Sequence, residues 1–287
     1  MGGVVVITPA RDEAENLPRL ADSLIGQSRP FDRWVVVDNG SADGTQELVR
    51  GLAARDRRIE LLIVPSAPLL VRGAPSARAL NAGVATIPSV APPDLVLNVD
   101  ADVSLPSDYI ARLARAFAGD PALGIAGGSC YEMHDGRWRQ RHVTGDTVWG
   151  AARAYRWDCL QDVGPVEERM SWDSLSQLRA NALSWSTRTL LDLPFRHHRA
   201  EGGRDGGWGR AHFNEGCSAY YMWYRPWYLG LRSALHLIRG DLSAPAMLVG
   251  YGRSAIRGDE RSPDPLIRQF VRRNQSPLRV PGAPPKR

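Results

Sequence analysis

The most constraining feature of this chain is an alternation of short apolar runs with amphipathic stretches of helical length, which extends from Val4 to Ser129. The apolar runs predict strands at residues 4–8, 34–37, 59–64, 94–99 and 123–126, and the stretches between them predict helices at residues 17–27, 45–55, 76–85 and 107–118. Strands that alternate with helices are typical of a parallel sheet covered by helices. The sequence therefore predicts an α/β fold with a mostly parallel central sheet.

Polar clusters come directly after three of these strands, at residues 9–13, 38–43 and 100–102. Parallel strands end on one edge of a sheet, and open α/β sheets bind their ligands at that edge. We therefore expect the three clusters to meet in one crevice. The first strand is not followed by the glycine pattern of dinucleotide-binding folds, so a dinucleotide site is not expected.

Beyond residue 130 the alternation fades, and we expect this second half to bind a second substrate. The sequence indicates one domain at residues 1–215, with a first half at 1–129 and a second half at 130–215. We expect a helical extension at 216–276 and a flexible tail at 277–287.

The net charge and the cysteine content indicate which binding partners and which cellular compartment to expect. The net charge is +5 and the sequence pI about 9.4, with Lys286 as the only lysine, which favours anionic partners such as nucleotides. No run of like charges and no zinc-finger spacing indicates nucleic acid. Three widely spaced cysteines suit a reducing cytoplasm. Neither a signal peptide nor a long apolar segment is evident, so we expect a cytoplasmic protein.

Residues 96–102 (VLNVDAD) form a buried strand that delivers Asp100 and Asp102 to the sheet edge. Alternation along a strand places both carboxylates on the same side. Two such hard oxygen donors can hold Mg²⁺ or Mn²⁺, which completes its shell with phosphate oxygens and water. A solvated loop or a helix cap is the alternative interpretation of the same pair.

Four ordered blocks resemble the family 2 glycosyltransferases: residues 7–17 (ITPARDEAENL), 35–45 (VVVDNGSADGT), 76–83 (SARALNAG) and the Asp100–Asp102 pair. The resemblance implies a single Rossmann-like domain of the GT-A type. It also implies inverting transfer of a sugar from a UDP, GDP or dTDP sugar to an acceptor hydroxyl, with Mn²⁺ or Mg²⁺ as cofactor. Cell-envelope glycan, glycolipid or secondary-metabolite synthesis would be the setting.

In this family the nucleotide-sugar is the donor, so we expect the half at residues 1–129 to bind the donor and the half at 130–215 to bind the acceptor. Most of the expected donor site comes from the four blocks. The residues expected to bind the donor are Pro9, Ala10, Arg11, Glu13, Asp38, Arg78 and Asp100. Asp38 would recognise the base, although starting the turn at Asn39 and Gly40 is its alternative role. Arg78 would contact the diphosphate, with an ordinary surface arginine as the alternative. Two positions depart from the family pattern, because Asp12 replaces an asparagine and Asn39 an aspartate.

Two further residues are candidates for chemistry. Residues 148–156, 162–165 and 170–173 also resemble the family, which places its general base where Asp173 stands; capping the helix from Ser174 is the alternative role. Asp102 and His198 are the predicted metal ligands, with a structural role for His198 as the alternative. Residues 196–199 (RHHR) would return to the metal or the diphosphate, and their arginines could neutralise the departing nucleotide.

The segment at residues 220–239 mixes aromatic, aliphatic and arginine side chains. Such a face suits peripheral contact with the inner membrane surface or a lipid-linked acceptor. A helix that covers the core, or a homodimer contact, explains the same composition. Two other functions remain open at this point: a nucleotidyltransferase, and a non-catalytic protein that binds a nucleotide-sugar.

Overall fold

The structure is a computed structural model that describes residues 2–65, 73–141, 147–199 and 207–275. Its contacts divide the chain into two units, the first made of residues 1–180 and 185–199 and the second of residues 181–184 and 200–287. The expected domain end at residue 215 falls inside a helix, Trp208–Tyr221. The expected tail at 277–287 lies outside the described residues.

Strands and helices alternate up to about residue 130 apart from one two-residue strand, as the hydrophobic pattern predicts, and the alternation ends beyond that point. In chain order they are β1 Val4–Ala10, α1 Leu17–Ile25, β2 Arg33–Asp38, α2 Thr45–Arg55, β3 Ile59–Ile63, α3 Ala74–Ala85, β4 Leu95–Val99, β5 Val103–Ser104, α4 Tyr109–Gly119, β6 Leu123–His134, β7 Arg137–Gln140, β8 Ala152–Arg156, α5 Trp157–Val163, α6 Trp172–Ala182 and β9 Ser186–His197.

One mixed sheet carries this unit, with the strand order β3-β2-β1-β4-β8-β6-β9-β5 and with β7 paired to β6. Strands β3, β2, β1 and β4 are parallel, and β6 is parallel to β9. β8 lies antiparallel between β4 and β6. The predicted α/β class with a mostly parallel central sheet is confirmed, and β8 is an antiparallel strand within that sheet.

Both faces of the sheet are buried, which explains why its strands are continuous apolar runs. Val4 and Val6 of β1 pack into a cluster that includes α1, α2 and α4. Val5 and Ile7 point the other way, into a second cluster built with α3, α5 and α6. These two layers hold the carboxyl ends of β1, β2 and β4 at one edge.

The second unit is helical, as the composition of residues 216–276 predicts. Its helices are α7 Trp208–Tyr221, α8 Pro226–Ile238, α9 Ala246–Arg257 and α10 Pro265–Asn274. Helices α7 and α9 pack closely at Gly216 of α7 and Gly250 of α9. A Cβ atom at Gly216 would lie 1.9 Å from the Met247 carbonyl oxygen. Within the described residues, no helix combines the length and the apolar character that crossing a bilayer requires.

Gly128 in β6 provides a test of the long pairing between β6 and β9. An added Cβ would lie 2.1 Å from the carbonyl oxygen of Leu193, at a register shift between the two strands. We expect Gly128→Ala to lower the free energy of unfolding by about 1–3 kcal/mol, because a backbone oxygen must move. Urea unfolding monitored by circular dichroism measures the change.

Gly51→Ala is the matched control, since Gly51 lies within α2 and an added Cβ meets nothing within 4 Å. Alanine in a helix is favoured over glycine, so this variant should gain about 0.5–1 kcal/mol. Equal stability of Gly128→Ala and the wild type would show that β6 and β9 are not packed as closely as described.

Candidate active site

The candidate site is centred on the two carboxylates that come directly after β4. The backbone N–H of Asp100 donates to the Ala151 carbonyl at 2.8 Å, which extends the pairing of β4 with β8 to this residue. The Asp102 side chain is almost completely buried. Ligand atoms of Asp100, Asp102 and His197 all lie within 4.8 Å of one another.

Strand β9 supplies the cations that face these carboxylates. Its pairing with β5 sets Val103 opposite His197, so the imidazole lies beside Asp102. His197 Nε2 is 3.2 Å from Asp102 Oδ1, and Nδ1 is 3.2 Å from Oε1 of the buried Glu132. Arg199, just beyond β9, places its Nε 3.6 Å from Asp102 Oδ2.

Glu13 joins the loop after β1 to the same cluster. Arg199 donates to both of its carboxylate oxygens, at 3.1 and 2.8 Å, and Asn16 donates to one of them at 2.8 Å. A bidentate pair of this kind fixes orientation as well as charge. Arg199 therefore bridges Glu13 and Asp102, two carboxylates that lie far apart in the sequence.

Burial and mutual repulsion shape the ionisation of the acidic pair. Burial, followed by the charge of Asp102, raises the pKa of Asp100. Burial is the largest influence on Asp102 and raises its pKa, but the hydrogen bond and charge of His197 and the charge of Arg199 together outweigh it, so the net pKa is lowered. His197 is affected in the opposite sense: burial lowers its pKa, and its bonds to Asp102, Cys130 and Glu132 raise it well above the ordinary value. The carboxylates thus depend on nearby positive charge.

The ligand atoms of Asp100, Asp102 and His197 suit a divalent cation. Desolvated carboxylates that repel each other gain from a shared cation, and carboxylate oxygens are the ligands that Mg²⁺ and Mn²⁺ prefer. An imidazole is an acceptable further ligand for Mn²⁺. Asp100, Asp102 and His197 are the residues that would hold such an ion. His197 would release its Nε2 proton on binding, and the ion would take over the neutralisation of Asp102.

The loop after β1 is braced against the loop after β2. Pro9 and Ala10 end β1, and Arg11 is exposed beside them. Asp12 has a positive φ of 54°, its N–H donates to Ser41 Oγ at 2.9 Å, and its Oδ1 accepts from the Ala42 N–H at 2.8 Å. The carboxylate of Asp12 therefore makes a bond that an asparagine side-chain oxygen would also accept.

Asp38 ends β2 and is completely buried. Its carboxylate accepts from the backbone N–H groups of Gly40 and Ser41 and, at 2.7 Å, from Gln46 Nε2. The two bonds from backbone N–H groups are those expected of a residue that starts the turn at Asn39 and Gly40. The neighbouring Asn39 is 3% exposed, and within the described residues neither polar atom of its side chain has a hydrogen-bond partner.

Asp173 lies in the first turn of α6, and its Oδ1 accepts from the N–H of Ser174 at 2.8 Å. The buried Arg153 holds this turn by donating to the Asp173 carbonyl at 2.6 Å. A Cβ at Gly150 would lie 2.9 Å from Asp173 Oδ2, so glycine leaves room for the carboxylate. Gly150 directly precedes Ala151, whose carbonyl accepts from the Asp100 N–H, and the charge of Asp173 contributes to the raised pKa of Asp100.

Two predicted site residues have their main contacts elsewhere. The guanidinium of Arg78 is partly exposed and donates two hydrogen bonds to Glu168, at 2.9 and 2.7 Å. The ring of His198 lies 2.8 Å from Ser104 Oγ and edge-on to Trp138, while only its backbone N–H reaches Asp102, donating to the carbonyl. The imidazole beside the carboxylates belongs to His197.

The sequence pattern singles out residues 196–199 but favours His198, and it does not identify Glu132. A buried glutamate inside the apolar strand β6 is the available signal, because a charge is rarely buried there without a partner. The choice between adjacent histidines depends on the β5–β9 register, which local pattern does not contain.

Two curated proteins are similar to parts of this chain. The succinoglycan biosynthesis protein ExoA of Rhizobium meliloti (strain 1021) is 33% identical over 112 residues, which cover 39% of this chain and 31% of ExoA. The glycosyltransferase AglE of Haloferax volcanii is 39% identical over 62 residues, which cover 21% of this chain and 20% of AglE. The matched segments thus span less than a third of either relative.

Solved structures show the same fold at low sequence identity. The mannosyltransferase PcManGT of Pyrobaculum calidifontis, in complex with GDP-Man and Mn²⁺, superposes with a TM-score of 0.58 at 19% identity, covering 94% of this chain and 83% of PcManGT. S. aureus TarS 1–349 in complex with UDP-GlcNAc gives a TM-score of 0.54 at 18% identity, covering 76% of this chain and 65% of TarS.

The profile of glycosyl transferase family 2 matches residues 5–166, more than half of the chain. The matched segment contains all four sequence blocks and both carboxylates after β4. The resemblance that these blocks indicated is confirmed, and the chain belongs to glycosyl transferase family 2.

Proposed function

We propose that this chain is a metal-dependent, inverting glycosyltransferase that moves one sugar from a nucleoside-diphosphate sugar to an acceptor hydroxyl. The observation that carries the proposal is the cluster of Asp100, Asp102 and His197, with Asp173 packed against Gly150, the residue before the Ala151 that accepts from the Asp100 N–H. A cation site next to a further carboxylate matches the two requirements of this reaction. They are charge neutralisation on the leaving group and proton removal from the acceptor.

The base end of the donor would lie against Asp38 and Asn39. A buried amide without partners costs about 1–3 kcal/mol, so a ligand that pairs with it recovers this free energy. The Asn39 side chain offers both a donor and an acceptor, as the edge of a nucleobase does. The loop containing Pro9, Ala10, Arg11 and Glu13 would form the adjoining wall.

The diphosphate would lie beside Asp100, Asp102 and His197. A divalent cation bound there would stabilise the negative charge that develops on the leaving nucleoside diphosphate. Arg199 holds Asp102 and Glu13 in place through its guanidinium, so the carboxylates are oriented before the donor arrives. PcManGT, whose structure contains GDP-Man and Mn²⁺, supports this donor and cofactor class.

Asp173 would act as general base. As the acceptor oxygen attacks the anomeric carbon, its proton passes to the carboxylate and the bond to the diphosphate breaks. Direct displacement of this kind inverts the anomeric configuration. The Ser174 N–H bonds to one oxygen of the carboxylate, Oδ1. Gly150 leaves room beside the other oxygen, Oδ2, which would take the proton.

Our first expectation concerns Asp173→Asn, which keeps the shape of the side chain and removes its basicity. We expect kcat to fall by about 10²–10⁴-fold with little change in nucleotide affinity, because a general base acts on the chemical step. Transfer from radiolabelled UDP, GDP and dTDP sugars to a panel of hydroxyl acceptors measures the rate.

Asp158→Asn is the matched control, because Asp158 is an exposed aspartate in the first turn of α5. It should transfer sugar at the wild-type rate. Wild-type turnover in Asp173→Asn would remove the assigned base. If the wild-type chain binds a nucleotide-sugar but turns none over, the non-catalytic alternative is favoured; nucleotide transfer to a sugar phosphate would favour the nucleotidyltransferase.

A second expectation separates the two adjacent histidines. Mn²⁺ with one of UDP, GDP or dTDP should raise the Tm of the wild-type chain. His197→Gln and Asp102→Asn should lose this shift, since each removes a proposed ligand. His198→Gln should keep it, because that ring contacts Ser104. The reverse result for the two histidine variants would return the ligand role to His198.

We also propose that residues 220–239 and the turn after them contact an acidic membrane surface, where a lipid-linked acceptor would be available. Large apolar side chains are exposed along this segment, namely Trp227, Leu231, Leu235, Ile238 and Leu242. Ile238 and Leu242 are 81% and 83% exposed. Arg239 between them supplies positive charge, and apolar side chains flanked by arginine are typical of interfacial helices.

Vesicle sedimentation tests this surface. We expect the wild-type chain to pellet with phosphatidylglycerol vesicles and much less with phosphatidylcholine alone. The double variant Ile238→Asp with Leu242→Asp should stay in solution, while Val90→Asp, at a site 97% exposed in the first unit, should behave as wild type. If the double variant instead only converts a dimer to a monomer, the surface is a homodimer contact.

A further inference from the structure

A second cluster of metal-ligating side chains lies within the helical unit. His212 is on α7, His236 is on α8, and Asp241 is in the connection after α8. One ligand atom from each lies within 4.8 Å of the other two. No residue of the candidate active site takes part, so the proposed transfer reaction does not account for this cluster.

The distances suit one small ion. His212 Nε2 lies 2.7 Å from Asp241 Oδ2, and His236 Nδ1 lies 3.8 Å from the same oxygen. Zn²⁺ bonds of about 2.0–2.1 Å in a tetrahedron require ligand atoms about 3.3 Å apart. The two observed distances lie on either side of this value, so side-chain shifts of about half an ångström bring both histidine–carboxylate distances to it. The two histidine nitrogens lie within 4.8 Å of each other.

Each of two ligands is oriented by a further polar group. Glu215 Oε2 lies 3.1 Å from His212 Nδ1, which directs Nε2 toward Asp241. The N–H and Oγ of Ser243 both donate to Asp241 Oδ1, which leaves Oδ2 facing the imidazoles. A carboxylate behind a histidine ligand is a recurrent arrangement at zinc sites.

The chemistry of the donors favours a transition metal over Mg²⁺ or Ca²⁺. Two imidazoles and one carboxylate suit Zn²⁺, whereas the harder cations bind mainly oxygen ligands. Arg232 is paired with Glu215, so Glu215, Asp241 and Arg232 together carry a net charge of about −1 when both imidazoles are neutral, which favours a cation.

We propose that His212, His236 and Asp241 bind a divalent transition-metal ion of the Zn²⁺ type, with Glu215 orienting His212. The fourth position of the tetrahedron is left to water. His212 is nearly buried whereas His236 and Asp241 are partly exposed, so the ion enters from the side of α8. The bound ion ties α7, α8 and the adjoining turn together.

Zinc retention tests the site directly. The full chain is stripped with chelator, incubated with Zn²⁺ in excess Mg²⁺, passed through gel filtration and analysed for zinc by atomic emission. We expect the wild-type chain to retain about one more zinc per chain than His236→Gln or Asp241→Asn, each of which lacks one ligand. His134→Gln, which removes a histidine of the other unit, should retain as much as the wild type.

Two further readouts separate a metal site from a cluster of ion pairs. Zn²⁺ should raise the Tm of the wild-type chain and leave that of His236→Gln unchanged. Glu215→Gln should bind the same amount of zinc with a Kd weaker by about 10–100-fold. Equal zinc retention by the wild type, His236→Gln and Asp241→Asn overturns the proposal. If circular dichroism shows one variant to be unfolded, the other decides.

Discussion

Two carboxylates at the end of a buried strand repel each other, and the architecture around them compensates that repulsion. Asp100 and Asp102 are fixed by β4, whose backbone continues its pairing to Ala151. The compensation comes from β9, which brings His197 and Arg199 to Asp102. Without the pairing of β9 with β5 and β6, two desolvated charges would face each other with no counter-ion, a costly arrangement.

The same requirement explains why Glu132 is buried. Glu132 and Asp102 lie on either side of His197, and each is 3.2 Å from one of its ring nitrogens. Arg141 also reaches Glu132, at 3.3 Å. A row of alternating charge thus runs from β6 through β9 to the end of β4. Each member is stabilised by the next, so the orientation of Asp102 depends on residues that contact no part of the expected donor.

Local pattern predicts most elements that precede residue 130, but not the two-residue strand β5 that pairs with β9. Strands buried on both faces are continuous apolar runs, and the helices between them are amphipathic, so β1 to β4 are predicted within a few residues. The end of each strand then locates Asp38, Asp100 and Asp102 at one sheet edge. The second half of the sheet is instead set by long-range pairing. β8 inserts antiparallel between β4 and β6, and no feature of residues 152–156 indicates that position.

The departures from the family pattern also differ in physical consequence. Asp12 replaces an asparagine, yet its Oδ1 accepts the backbone bond from Ala42 that an amide oxygen would accept, so the loop is preserved. Asn39 replaces an aspartate and changes the available bonds, because a carboxylate only accepts whereas an amide also donates. The carboxylate oxygens of Asp38 already accept hydrogen bonds within the protein. Among the described residues, the Asn39 side chain next to it has no partner for either its Nδ2 or its Oδ1. In the proposed donor site, Asn39 would therefore contribute more to recognition of the base than Asp38.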